Sequence, residues 1–148
     1  MKLIFILLLL SSILNAIPIT NIDTNNTKLQ DFKLEYFVDK TLKMNLKEVE
    51  KQTFKADTSR LSLGIFKDVA WLRFKLHNET NSSQKLYIHS ENAYVANAIN
   101  FYELLDEKIV NELHIDFKNN EDTESRMFGS DAIFVVNLKI NQFPTETF

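Results

Sequence analysis

The fold class this sequence predicts is an all-β domain of the β-sandwich or jelly-roll type with one short helix. The first observation is Val69 to Asn78, where Leu72, Phe74 and Leu76 alternate with Trp71, Arg73, Lys75 and His77. Side chains of an extended strand switch faces at every residue, so this period of two marks a half-buried strand. The second is that six or more short runs of this kind recur between polar turns. The third is that no long helices alternate with them, so the rhythm of a parallel α/β sheet is missing.

From the N-terminus, Met1-Lys2 and the apolar run Leu3 to Leu10 have the layout of a secretory signal, with small residues offering cleavage after Ala16. The run is shorter than the roughly 20 apolar residues of a spanning helix. Export is therefore expected, with an uncleaved membrane anchor as the alternative. Residues 17–31 are polar, rich in Asn and Thr and without period, and read as a mobile leader.

Lys33 to Asp39 alternates, with Leu34, Tyr36 and Val38 on one face, and Asp39-Lys40-Thr41 turns the chain. Asn45-Leu46-Lys47-Glu48 has capping-box spacing, which predicts a helix from Leu46 to Gln52 with Leu46 and Val49 on one face. Gly64 punctuates the chain where the backbone needs a positive φ or a close approach. Asn78 to Ser83 is a loop by composition.

Further strands are predicted at Lys85–His89, with Leu86 and Ile88 inward, and at Ala98–Leu104, with Ile99 and Phe101 inward. A charged hairpin turn at Asp106-Glu107-Lys108 leads into Ile109–Asp116, where Leu113 and Ile115 share a face. Residues 117–130 read as a long polar loop, and Ala132–Ile140 as the last good strand.

The length of 148 residues suits one domain, spanning 32–148 after the signal and leader. A net charge of -3 with no basic stripe argues against a nucleic-acid partner. The absence of cysteine rules out disulfides, thiolate catalysis, Cys-ligated zinc and a lipid-modified N-terminal Cys. With two glycines, a phosphate-cradling loop is hard to build. Nucleophile-elbow and zinc-protease motifs are missing as well, so neither catalysis nor a cofactor is expected.

Trp71 and Arg73 share one strand face. If Lys85–His89 pairs with this strand across the Asn78–Ser83 loop, then Lys75, His77, Tyr87 and His89 join them. An aromatic plane beside cations and hydrogen-bonding groups suits a sugar ring or a small anion. The plainer alternative, and the favoured one, buries Trp71 under the leader or a crossing loop with Arg73 over its ring. His77, His89 and His114 lack metal-ligand spacing, and Glu121, Asp122 and Glu124 lack the calcium-loop pattern, so no metal is expected. Asn25-Asn26-Thr27 and Asn81-Ser82-Ser83 are N-x-[ST] acceptors with an acid two residues upstream, a form similar to the sequon of bacterial N-glycosylation.

From Leu34 onward the chain resembles the type-2 extracellular domain of bacterial seven-transmembrane receptors with diverse intracellular signalling modules. The residues that carry the resemblance are Leu34-Glu35-Tyr36-Phe37-Val38-Asp39, Leu46-Lys47-Glu48-Val49, Leu63-Gly64 and Trp71 to Asn78. Leu86 with Ile88, Ile99-Asn100-Phe101-Tyr102, Arg126 and Phe134 to Leu138 add to it. The resemblance implies a galactose-binding-like jelly roll outside the cytoplasmic membrane that binds carbohydrate-like or other small ligands. Candidate ligand contacts are therefore Trp71, Arg73, Tyr87 and His89 from the shared strand face, with Arg126 added from the resemblance.

No spanning run or output module follows in this sequence. The expectation is therefore a periplasmic sensor domain without its transducer, linked to the membrane only through a missing region or an uncleaved signal. Thr147-Phe148 reads as the first step of a final strand whose remainder is missing, which would open a sheet edge to self-association. The alternative function is a free-standing periplasmic interaction or carbohydrate-binding protein.

Overall fold

The computed structural model describes residues 17–23, 29, 32–64, 67–91, 93, 96–117, 127–128, 131–140 and 145–147. The signal stretch 1–16, Asn25, most of the 117–130 loop including Arg126, and Phe148 lie outside the described residues. Among the described residues, ten strands and one short helix follow one another: β1 (Ile19–Ile22), β2 (Lys33–Asp39), α1 (Leu46–Val49), β3 (Lys55–Thr58) and β4 (Val69–Asn78). After them come β5 (Gln84–Ser90), β6 (Ala98–Leu105), β7 (Lys108–Asp116), β8 (Met127–Phe128), β9 (Asp131–Leu138) and β10 (Thr145–Thr147). Among the described residues the structure is mostly β with the short helix α1, as the alternating pattern predicts.

The strands form two sheets. The larger has the order β3-β2-β4-β10-β6-β7, with β1 added alongside β4, and the smaller has the order β5-β9-β8. Every pairing is antiparallel except β1 with β4. Ile22, Leu34, Phe74, Leu76, Phe101 and Ile115 of the larger sheet meet Ala132, Phe134, Val136 and Leu138 of β9 in one buried cluster. Leu86 and Ile88 of β5, with Ile99 and Leu113, pack against it from the inward faces predicted for them. Phe101 and Phe134 stack across the two sheets at 4.8 Å between ring centroids.

Burial of this alternating set drives the two sheets together. A second, smaller cluster of Leu46, Val49, Phe54 and Leu104 lies where α1 covers the opposite face of the larger sheet. β2 thus serves both layers, Leu34 in the first cluster and Phe37 against the second.

β1 corrects one expectation. The leader is not all mobile coil, because Ile19–Ile22 runs parallel to β4 with Ile22 2% exposed in the core. Four residues with two isoleucines carry too little period to show as a strand, and only the partner β4 makes them one. Leu72 shares a strand face with Phe74 and Leu76, but that face is not buried along its whole length, and Leu72 is 40% exposed. The other two are covered by the facing sheet, and Leu72 lies beyond that cover.

Local chemistry explains the turns. Asn45 caps α1 with the full capping box: its side chain accepts from the Glu48 N–H, and the Glu48 carboxylate accepts from the Asn45 N–H. The helix ends at Val49 rather than Gln52, with Glu50 as its C-cap. Gly64 has φ +67 and open space where a Cβ would stand, so the backbone conformation, not crowding, calls for glycine.

The β6–β7 hairpin turns on Asp106 and Glu107, with φ of 49 and 61. Two successive positive φ values are the mark of a type I′ turn, whose twist matches that of the strands. Glutamate is strained there. Glu107→Gly is expected to stabilise the domain by about 1 kcal/mol, read as a higher midpoint in urea. An unchanged or lower midpoint would show that Glu107 is relaxed.

Asp39 ends β2 and organises the turn into α1. It is 1% exposed, and its carboxylate accepts from the Thr41 N–H at 2.7 Å, the Thr41 hydroxyl at 2.6 Å, and the Lys43 and Met44 N–H groups at 3.1 and 3.0 Å. Burial pushes its pKa up, but these bonds to the charged form outweigh it and hold the group below the ordinary 3.8. A carboxylate with a lower pKa folded than unfolded stabilises above its unfolded value and loses that contribution as pH falls through the folded one. Asp39→Asn should therefore lower the melting temperature at pH 7, with the gap to wild type closing below about pH 4. A gap independent of pH would show that the charge is not what the turn uses.

Candidate functional site

β4 positions the residues with the most distinctive chemistry. Its register against β2 sets Trp71 opposite Phe37 and Arg73 opposite Glu35. The side chains of Arg73 and Glu35 are 12% and 5% exposed and form a close ion pair. The guanidinium donates through Nε at 2.8 Å, with Nη2 at 2.7 Å from the same Oε2. The Arg73 Cζ also sits 3.9 Å from the Phe54 ring centroid, a cation–π contact. Trp71 is half-buried against the second cluster and stacks on Tyr102 of β6, with centroids 6.2 Å apart and planes 16° from parallel. Its Nε1 is buried without a hydrogen-bond partner.

Both residues pack within the domain, but not in the arrangement expected. Trp71 packs against the α1 layer and Tyr102. Arg73 lies over Phe54, not over Trp71. The cation can face Phe54 because Glu35, its cross-strand neighbour, holds it on that side.

The shared face expected of Trp71, Arg73, Tyr87 and His89 does not form. β5 pairs with β9 in the other sheet, with Tyr87 opposite Val135 and His89 opposite Ile133. The reason lies in the Asn78–Ser83 loop, which is a corner and not a hairpin turn. Asn78 is 2% exposed; its amide donates to the Ser82 carbonyl and to those of Leu138 and Lys139 at the end of β9. Its Oδ1 accepts from the N–H and hydroxyl of Thr80, which is also buried. These bonds tie the end of β4 to β9 and hand the chain to the second sheet.

On that sheet's outer surface Tyr87 is 59% exposed, with the Lys85 ammonium 5.4 Å from its ring centroid and His89 exposed on the same face. His77 lies 4.0 Å from Glu79, and His114 pairs with Asn100, so the histidines are distributed rather than gathered. No group of metal-ligating residues occurs among the described residues. A surface depression lined by Thr41, Lys43, Met44, Glu48 and Gln52 contains none of the sequence-predicted contacts.

A profile of the family described as 7TMR-DISM extracellular 2 matches residues 32–148. The chain belongs to this family. No curated protein and no solved structure matches it. The matched span begins at Phe32, directly before β2, and so takes in both sheets and α1 but not β1.

The 7TMR-DISM extracellular 2 family is an extracellular sensory domain of seven-transmembrane receptors, in general non-catalytic, and this points to an extracytoplasmic location. Sequence reasoning gave no role to Glu35, Phe54 and Tyr102, which complete the Trp71–Arg73 cluster. Their signal was available only for Glu35, an acid among the apolar and aromatic residues Leu34, Tyr36, Phe37 and Val38 of β2.

Proposed function

We propose that this 7TMR-DISM extracellular 2 domain is the ligand-receiving module of a bacterial signalling receptor, exported to the periplasm, and that it binds a carbohydrate-like small molecule without transforming it. The observation that carries the reading is the family match across residues 32–148. The contact surface is the outer face of β5, where the exposed Tyr87 ring lies beside Lys85 and His89. A flat aromatic face flanked by hydrogen-bonding groups stacks on a sugar ring. Trp71 and Arg73 act by holding the larger sheet in shape. Arg126 is part of the same proposal through the family resemblance alone.

A thermal-shift screen against monosaccharides and short oligosaccharides tests it, with Tyr87→Ala as the paired variant. Ligand-dependent stabilisation that Tyr87→Ala abolishes is expected. Stabilisation that survives Tyr87→Ala moves the site elsewhere, and no stabilisation by any sugar overturns the carbohydrate reading.

Asn81 is exposed at the β4–β5 corner, whereas Asn78, which also begins an N-x-[ST] triplet as Asn78-Glu79-Thr80, is buried and occupied by hydrogen bonds. In a host carrying the bacterial transferase, Asn81 should accept a glycan, whereas Asn78 should not. Intact mass of the exported protein and of Asn81→Gln decides this; an unmodified wild-type mass rules it out. Asn25, the other acceptor, lies outside the described residues.

A further inference from the structure

The outer face of the smaller sheet carries charge of one sign over most of its length. Leu86 and Ile88 of β5 turn into the core, so Lys85, Tyr87 and His89 share the outward face. Across from them stand Asn137, Val135 and Ile133 of β9, in that order. Lys85, Tyr87, His89 and Asn137 are exposed, while Val135 and Ile133 are half-buried between them. β5, β8 and β9 contain one acid, Asp131 at the start of β9. At about 3.3 Å per residue it stands about 20 Å from Asn137 and Lys85, at the far end of the sheet.

Neither Lys85 nor His89 forms an ion pair among the described residues. The Lys85 ammonium instead sits 5.4 Å from the Tyr87 ring centroid. An exposed cation–π contact is weak, and a carboxylate offers the ammonium a charge-assisted hydrogen bond that the ring cannot.

This arrangement discriminates between sugars. A sugar that stacks on Tyr87 competes with the ammonium for the ring. A neutral sugar gives the displaced cation no ionic partner, whereas a sugar bearing a carboxylate draws it off the ring and pairs with it. Side chains two residues apart on a strand stand about 7 Å apart, room for a sugar ring over Tyr87 with its exocyclic carboxylate at Lys85. Asn137, opposite Lys85, adds amide N–H donors at the same end. Val135, opposite Tyr87, extends the apolar floor, and His89 can meet ring hydroxyls.

The charge count selects among anions. One ammonium beside neutral donors balances one negative charge. A phosphate carries more charge and is held by an arginine fork or a nest of free backbone N–H groups. β5 and β9 contain no arginine, and their facing backbones are spent on pairing with each other.

We infer that the Tyr87 face selects acidic sugars of the uronate type, with the ring on Tyr87 and the carboxylate on Lys85 and Asn137. The inference rests on the carbohydrate reading above and narrows its ligand to one charge class.

The probes are D-glucuronate and D-galacturonate, compared with glucose, galactose and the uncharged glucuronamide at equal ionic strength. Thermal shift of the full chain across ligand concentration gives the apparent affinities. At least one uronate should bind about fivefold tighter than its neutral counterpart, the upper end for one exposed ion pair. Glucuronamide should behave like glucose, and sodium acetate should give no shift. Lys85→Gln should reduce the uronate to the affinity of the neutral sugar. It should leave the melting temperature without ligand unchanged, because the side chain is exposed.

Uronates and neutral sugars that bind equally overturn the charge selection and leave the carbohydrate reading standing. A uronate preference that survives Lys85→Gln, or a shift reproduced by acetate, also overturns it. Binding by no sugar overturns both.

Discussion

Trp71→Ala is expected to destabilise the domain by about 3 kcal/mol, the low end for a tryptophan truncation because the ring is only half-buried. The loss comes from packing. The indole contacts the Leu46–Val49–Phe54–Leu104 cluster and stacks on Tyr102, while its Nε1 makes no hydrogen bond that could be lost. Trp71→Phe keeps an aromatic face over Tyr102 and should recover a large part of the stability. Urea unfolding of the three proteins measures both effects. A Trp71→Ala variant that unfolds at the wild-type midpoint would return Trp71 to the role of a ligand platform.

The second large effect is at the Glu35–Arg73 pair. Removing one partner strands the other charge in a nearly dry site, and Glu35→Ala or Arg73→Ala is expected to cost about 3–5 kcal/mol. Arg73→Ala also removes the contact with the Phe54 ring. The combined Glu35→Leu/Arg73→Met replacement removes both charges, fills their volume, and should be less destabilising than either alanine variant alone. This non-additivity is the diagnostic result. Single-variant losses that simply add in the double replacement would mean the ion pair is too well solvated to matter.

Glu103 gives the opposite pH signature to Asp39. It is 7% exposed beside β10, and burial raises its pKa, partly offset by a hydrogen bond with Asn111. An acid with a raised folded pKa favours the fold while protonated, so its contribution declines as pH climbs from the unfolded value through the folded one. Asp39 weakens the domain from the acid side and Glu103 from above, which narrows the pH range of greatest stability between them.

How much was legible depended on how local the controlling interaction is. The capping box at Asn45 and Glu48, the need for glycine at position 64, the charged turn at Asp106–Glu107 and the limits of Lys33–Asp39 were all readable, while the structure decided that Gly64 answers to a positive φ and not to a close approach. Each is set by neighbours in the chain or by a period of two. β5 was readable as a strand, down to Leu86 and Ile88 facing inward, but its partner was not. A six-residue polar loop fits a hairpin as well as a corner. What selects the corner is the bonding of Asn78 to Leu138 and Lys139, about 60 residues away. The candidate site suffered most, because a ligand face built from two strands is only as sound as their pairing.

The sequence by itself determined that this is an all-β domain of the 7TMR-DISM extracellular 2 kind, since alternation and the Trp71–Asn78 segment are properties of consecutive residues. Only the tertiary structure decided which faces meet. It turned Ile19–Ile22 into a strand, put Tyr87 and His89 on a different sheet from Trp71 and Arg73, paired Arg73 with Glu35, and left Leu72 exposed. The physical reason is that a period of two says which side chains share a face of one strand and nothing about its neighbour. Neighbours are chosen by long-range burial and by where buried polar groups such as Asn78 find their partners.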